Sequence, residues 1–279
     1  MRLRHAKWAG GLLWMVLLAC SGRISPNKPD DNAGFRVVSS SPANNTSSVA
    51  SGGPISISVT FSAAVDTATL GFLMAPLPAT FDSNFRLGDG GRTVTAVATL
   101  QPNTSYTAVI YTAKSTTGQA FSSPFQVGFT TAGSFPTGRV QGVAQFQRGG
   151  SPASPKGTLV GLLKIDLGRV LALILGGQDP LEVLRQNLGA LTVIGADDGS
   201  YALEHIQPGT YWPAAIKDVN SDGSLNPLGG DGLGYYDNPA SANGSPGAED
   251  SVRVALGQTI SNINLLVVSA SSPSKIVLD

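Results

Sequence analysis

Asp218, Asn220 and Asp222 stand at alternate positions of the stretch Asp218-Val219-Asn220-Ser221-Asp222-Gly223-Ser224-Leu225, with glycine sixth and leucine eighth. Oxygen side chains at positions one, three and five are hard donors suited to Ca²⁺. The glycine permits the sharp turn that aims them inward, and position seven, Ser224, offers a backbone carbonyl. The second half departs from the twelve-residue pattern, because position twelve is Gly229 instead of a bidentate glutamate and no helical periodicity flanks the loop. Closure needs another carboxylate, with Asp231 and Asp237 of the following GGDGLGYYDN stretch as candidates. Charge points the same way: between residues 179 and 250 there are eleven acids against Arg185 and Lys217, and an acidic loop without a cation repels itself. The bland alternative is an Asp/Asn/Gly-rich turn whose side chains cap backbone groups. The expected ion is a structural Ca²⁺ that orders the loop, bound with a Kd of about 10⁻⁴ to 10⁻³ M.

Other chemistry is scarce. One cysteine and two histidines exclude a disulfide framework or a Cys/His zinc site within one chain. Only Glu182, Glu204 and Glu249 are available for paired-glutamate hydrolysis. His205, beside Glu204, has no G-x-S-x-G elbow to work with, so no catalytic residue is expected. The glycines of Gly230-Asp231-Gly232-Leu233-Gly234 lead into Tyr235-Tyr236-Asp237-Asn238-Pro239, where no helix can begin to present its amides to a phosphate. Tyr235, Tyr236 and Trp212 could stack on sugar rings, although packing is the commoner fate of such aromatics. A glycan- or ligand-binding accessory module therefore stands as the alternative to a structural, adhesive or spacer role. Neutral overall charge supplies no basic field for nucleic acid.

The elements that must position these residues are strands. Over 279 residues, 34 Gly and 18 Pro accompany only 13% charged residues, which favours turn-rich β structure in about two domains. Ile55, Ile57, Val59 and Phe61 alternate with Ser56, Ser58 and Thr60, which predicts a half-buried strand over 54–61. Residues 93–100, 106–112 and 125–131 read similarly, as do 138–146, 158–166, 200–206, 211–217, 251–256 and 262–268 further on. One helix is expected after Asp179-Pro180-Leu181-Glu182, an N-cap, a first-turn proline and a capping-box acid, with Leu184 and Leu188 on one face and Gly189 as stop. The apolar run 167–175 is either a buried strand or the lead into that helix, and periodicity does not choose.

In Leu100-Gln101-Pro102-Asn103-Thr104-Ser105-Tyr106 the tyrosine enters a late strand just after a proline turn, as in a tyrosine corner. With Ser41-Pro42-Ala43, Thr60-Phe61-Ser62, Val65-Asp66 and Phe129-Thr130-Thr131, residues 35–133 resemble the bacterial Ig-like domains of surface proteins, which implies a spacer or adhesive module. Asp198-Gly199-Ser200-Tyr201 followed by Pro208-Gly209-Thr210-Tyr211, with Asn262-Ile263-Asn264-Leu265 near the end, resembles the carboxypeptidase regulatory-like, transthyretin-like β-sandwich. The resemblance spans 134–268 and implies no peptidase activity. The expected fold is mainly β, two tandem sandwiches, the second carrying one short helix, with residues 269–279 as a tail.

Arg2, Arg4 and Lys7 precede an apolar stretch that ends at Cys20, a run too short to span a bilayer as a helix and flanked like a signal peptide. Leu17-Leu18-Ala19-Cys20 resembles a bacterial lipobox, which implies cleavage of residues 1–19, acylation of Cys20 and, with Ser21 next, an outer-membrane address. Residues 20–34 then form the lipidated cysteine and a Pro-containing tether. The processed chain retains 15 basic against 18 acidic side chains. Its expected partners are the membrane through the lipid, and another surface protein or a glycan, but neither nucleic acid nor nucleotide.

Overall fold

The computed structural model describes residues 34–239, 247 and 250–269. The expected signal peptide, Cys20, the expected tether up to residue 33 and the expected tail from residue 270 onward lie outside the described residues.

Seven strands build an N-terminal lobe: β1 (Val37–Ser41), β2 (Pro54–Phe61), β3 (Val65–Ala75), β4 (Thr80–Gly88), β5 (Thr93–Thr99), β6 (Ser105–Ser115) and β7 (Phe125–Thr130). They pair antiparallel into a 4-stranded sheet, β1-β2-β5-β4, and a 3-stranded sheet, β3-β6-β7. The alternation read along β2 is realised, with Ile57, Val59 and Phe61 buried between the sheets. Phe35, Phe61, Tyr106 and Phe129 fill the centre, and the rings of Phe35 and Phe61 stack at 5.2 Å. Strands β1, β3 and β4 were not among the sequence expectations. β4 is mostly exposed and has no alternation to read, while β3 is apolar only in its second half.

The C-terminal lobe comprises β8 (Gly138–Arg148), β9 (Ser151–Ala153), β10 (Leu159–Leu163), α1 (Leu167–Leu175), α2 (Pro180–Asn187), β11 (Leu188–Val193), β12 (Ser200–Ile206), β13 (Gly209–Lys217), β14 (Gly232–Tyr235), β15 (Val252–Val254), β16 (Thr259–Ile260) and β17 (Leu265–Ser269). Ten strands connect in the order β11-β10-β13-β14-β17-β8-β12, with β15, β16 and β9 attached to β13 and β8. The early part of β8 pairs antiparallel with β12 (Ser200↔Val143), and its later part pairs parallel with β17 (Leu265↔Ala144 to Ser269↔Arg148). β13 is divided in the same way, pairing first with β15 and then with β10 and β14. These two shared strands wrap the sheet around Val140, Phe146, Val160, Leu162, Leu203, Ile206 and Val267. Gly142 permits the closest approach in this wrap: a Cβ there would lie 1.9 Å from the carbonyl oxygen of Ile263.

Two helices, rather than the one expected, separate β10 from β11. The run 167–175 is helical because the Asp166 carboxylate accepts from the Arg169 amide as N-cap and Leu167, Val170 and Ile174 bury one face. α2 starts as read, with Asp179 accepting from the Glu182 amide and Pro180 in the first turn. It ends one residue before Leu188, whose backbone is extended and opens β11. Gly189 therefore lies inside a strand instead of stopping a helix, and a Cβ there would sit 2.5 Å from the Tyr211 ring.

A third buried cluster joins the lobes. Leu73 and Ala75 of β3 and Val109 and Tyr111 of β6 pack with Leu159, Leu163, Leu167, Val183, Leu188, Leu191 and Ile216 of the C-terminal lobe.

Candidate functional site

The loop after β13 is held by its own carboxylates. Asp218 accepts from the amides of Ser221 (2.6 Å) and Gly223 (3.1 Å), and Asp222 accepts from the Ser224 amide at 2.7 Å. The Asn220 side-chain carbonyl accepts from the Asp222 amide at 3.0 Å, while its NH₂ donates to the other Asp222 oxygen at 2.7 Å. Gly223, at φ 82°, makes the left-handed turn that its type allows at no steric cost. These bonds place Asp218, Asn220, Asp222 and Ser224 in one compact turn.

Asp231 joins them across the chain. Its carboxylate, 6% exposed, accepts from the amides of Val219 (3.0 Å) and Asn226 (2.9 Å), tying both ends of the loop together. Burial pushes the Asp218 carboxyl above its ordinary range; the Gly223 and Ser221 amides oppose the shift, and the negative charges of Asp231 and Asp222 add to it. Among the described residues, no group of three or more His, Cys, Asp and Glu side chains is arranged as metal ligands are. The oxygen set at this loop is mixed, two carboxylates and the Asn220 amide on the turn and Asp231 at its base. Asp237 lies beyond β14, half-buried.

The loop leans on the other lobe. The Tyr111 hydroxyl of β6 donates to the Gly223 carbonyl at 2.8 Å, and Leu225, 1% exposed, enters the cluster that joins the lobes. Burial, followed by the Asp218 charge, raises the Tyr111 hydroxyl far above its usual range, so it remains a donor. Neither Tyr111 nor this contact was foreseen from sequence. The available signal was the run Ala108-Val109-Ile110-Tyr111, apolar without alternation, as in a strand buried on both faces.

The three aromatics do not form one surface. Trp212 and Tyr235 are half-buried against the cluster between the lobes, whereas Tyr236 packs against the C-terminal core. His205 lies near Phe135, ring centroids 4.1 Å apart, with Nδ1 3.4 Å from the Pro136 carbonyl oxygen. Glu204 turns to Arg139 at 3.5 Å.

Elsewhere, hydroxyls pin backbone in the same way. The Tyr106 hydroxyl, as the corner reading expected, accepts from the Gln101 amide at 2.8 Å. In the other lobe Tyr211 donates to the Gln207 carbonyl at 3.0 Å and Tyr201 to that of Ile263 at 2.5 Å.

No curated protein matches the sequence. Among solved structures, domains 1–6 of the surface layer protein SbsC are 16% identical, over 86% of this chain and 26% of that one, with a TM-score of 0.27. Latent PorU from Porphyromonas gingivalis is 12% identical, over 86% and 21%, at 0.26. Alpha-2-macroglobulin from Escherichia coli, spanning domains MG0-NIE-MG1, is 11% identical, over 87% and 92%, at 0.27. The chain thus spans about a quarter of the surface layer fragment it matches (26%). Residues 31–131 match the family described as bacterial Ig-like domain, and the two-sheet lobe built from these residues is therefore an Ig-like domain.

Proposed function

We propose that this chain is a non-enzymatic cell-envelope lipoprotein, anchored to the outer membrane through Cys20, with a structural, adhesive or spacer role. In this reading its C-terminal lobe is a transthyretin-like module ordered by Ca²⁺ at the 218–231 loop. The observation that carries the proposal is how the Ig-like lobe and its neighbour use their polar side chains: Tyr106, Tyr111, Tyr201, Tyr211, Asp218 and Asp231 all bond backbone groups and so hold shape. Acyl chains on Cys20 would hold the protein at the bilayer, each buried CH₂ contributing about 0.8 kcal/mol and one chain alone being marginal.

The donor chemistry of the loop suits a hard cation, and the Asp218 carboxyl, raised chiefly by burial and further by the charges of Asp231 and Asp222, would be favoured in its charged form by one. Asp218, Asn220, Asp222, the Ser224 carbonyl and Asp231 would hold the ion, which supplies order to the loop and no reaction. The experiment is thermal unfolding in EDTA and in about 10 mM Ca²⁺, with Mg²⁺ as control. At ten to a hundred times Kd, Ca²⁺ adds about 1.4 to 2.7 kcal/mol, a rise of several degrees in the midpoint. Asp218→Asn with Asp222→Asn keeps one acceptor oxygen on each side chain, removes both charges and should abolish the rise. Equal midpoints in EDTA and Ca²⁺ would reduce the loop to a self-capped turn. The anchor has its own check, since Cys20→Ser should move the protein from the detergent phase to the aqueous phase.

A further inference from the structure

We infer that the two lobes are clamped into one cooperative body, and that the helical segment α1–α2, β11 and the 218–225 loop are the parts of the C-terminal lobe that make the clamp. This goes beyond the function proposed above and does not depend on whether the loop takes a cation.

Strand β6 has two buried faces. Tyr106, Ala108 and Ile110 point into the Ig-like core, and the intervening Val109 and Tyr111 belong to the cluster between the lobes. Val109 is 0% exposed and Leu73, on the neighbouring strand, 1%, although neither contributes to the core of its own sandwich. Were the lobes to hinge freely, these side chains and their partners Leu191 and Val183 would meet water. Neighbouring domains in a chain move relative to one another unless the interface is large and apolar, and this one is a continuous hydrophobic core.

Polar contacts ring that core. The Gln126 side-chain carbonyl on β7 accepts from the Thr192 hydroxyl (3.0 Å) and the Val193 amide (3.2 Å), so it occupies the free edge of β11. Tyr111 holds Gly223 as described, and the Gln207 side chain donates to the Asn103 carbonyl at 3.0 Å. An apolar centre with a satisfied polar rim is the anatomy of a specific interface. Each partner strand is covered where it would otherwise present an unpaired edge or an oily face.

The test cuts the connection and asks whether the lobes stay together. A specific protease site is inserted after Gly133 in the exposed linker of the full chain, and the cut protein is run on gel filtration at about 1 μM. The wild-type pieces should co-elute at the size of the uncut chain and unfold in one transition. Leu73→Asp with Val109→Asp should release them as two separate particles. Tyr111→Phe with Gln126→Ala, which removes the Tyr111 and Gln126 parts of the rim without burying charge, should weaken the association of the cut pieces at least tenfold. Wild-type pieces that separate at this concentration, or a rim variant whose pieces associate as tightly as wild type, would overturn the clamp. Because none of these readouts needs Ca²⁺, a failed calcium shift leaves the result intact and the reverse also holds.

Discussion

The loop leading into β6 and the loop leaving β13 solve one problem with different chemistry. Both must hold an irregular stretch of backbone against a sandwich edge. Residues 101–105 are pinned by a neutral hydroxyl, Tyr106, accepting one amide, while residues 218–231 are pinned by the carboxylates of Asp218, Asp222 and Asp231. A carboxylate accepts more amides per side chain and bonds them more strongly. It also brings charge: Asp218 is raised by burial and by its acidic neighbours, a cost the tyrosine does not incur. One loop is thus held by a group without charge, and the other by groups whose charge the fold must accommodate.

The comparison is broken most severely at Asp231. Asp231→Ala leaves two part-buried amides, those of Val219 and Asn226, without their acceptor, and should cost about 3 kcal/mol in chemical unfolding. Tyr106→Phe orphans one amide, that of Gln101, and should cost about 1.5 kcal/mol in the same measurement. Alkali tests the neutral pin by comparing the wild type with Tyr106→Phe, because the buried Tyr111, Tyr201 and Tyr211 hydroxyls are raised as well. Burial raises the folded Tyr106 hydroxyl against the opposing bonds to Gln101 and Thr104, so the folded protein keeps this proton while the unfolded chain loses it. The unfolded state therefore binds fewer protons, and this group's contribution should fall by about 1.4 kcal/mol per pH unit above about pH 10, a slope that Tyr106→Phe removes. Asp231→Asn keeps an acceptor oxygen for one loop end only and turns its NH₂ on the other amide, so it should cost about as much as Tyr106→Phe, about 1.5 kcal/mol, in EDTA. Its larger effect should be on the calcium response.

What the sequence disclosed follows from how local the cause was. β2 announced itself because each apolar residue faces one core and each Ser or Thr faces away. α2 did so through Asp179 and Pro180, whose bonds span three residues. The turn of the 218–225 loop was legible for the same reason, and Asp231 stood beside Asp237 as a candidate because closure demanded a carboxylate nearby. Hidden were features whose cause lies far along the chain. The run 167–175 is a helix whose buried face meets the cluster shared by both lobes, and Leu188 leaves its helix to pair beside Leu163. Trp212 and Tyr235 read as packing aromatics with stacking on a ligand as the alternative, but no local pattern shows that the face of their sheet adjoins another domain. Tyr111 was invisible as the partner of Gly223 because 112 residues separate them.

The parallel pairing of β8 and β17 has a mechanical consequence. The Ig-like lobe joins the start of β8, and the chain leaves at the end of β17, with Leu265 to Ser269 running beside Ala144 to Arg148 in the same direction. Tension applied through the two flanking segments pulls these neighbours in opposite senses along their length. The evenly spaced bonds of a parallel ladder are then strained together instead of being unzipped one by one. The β8–β17 pair thus gives this part of the C-terminal sheet a shear geometry under such tension.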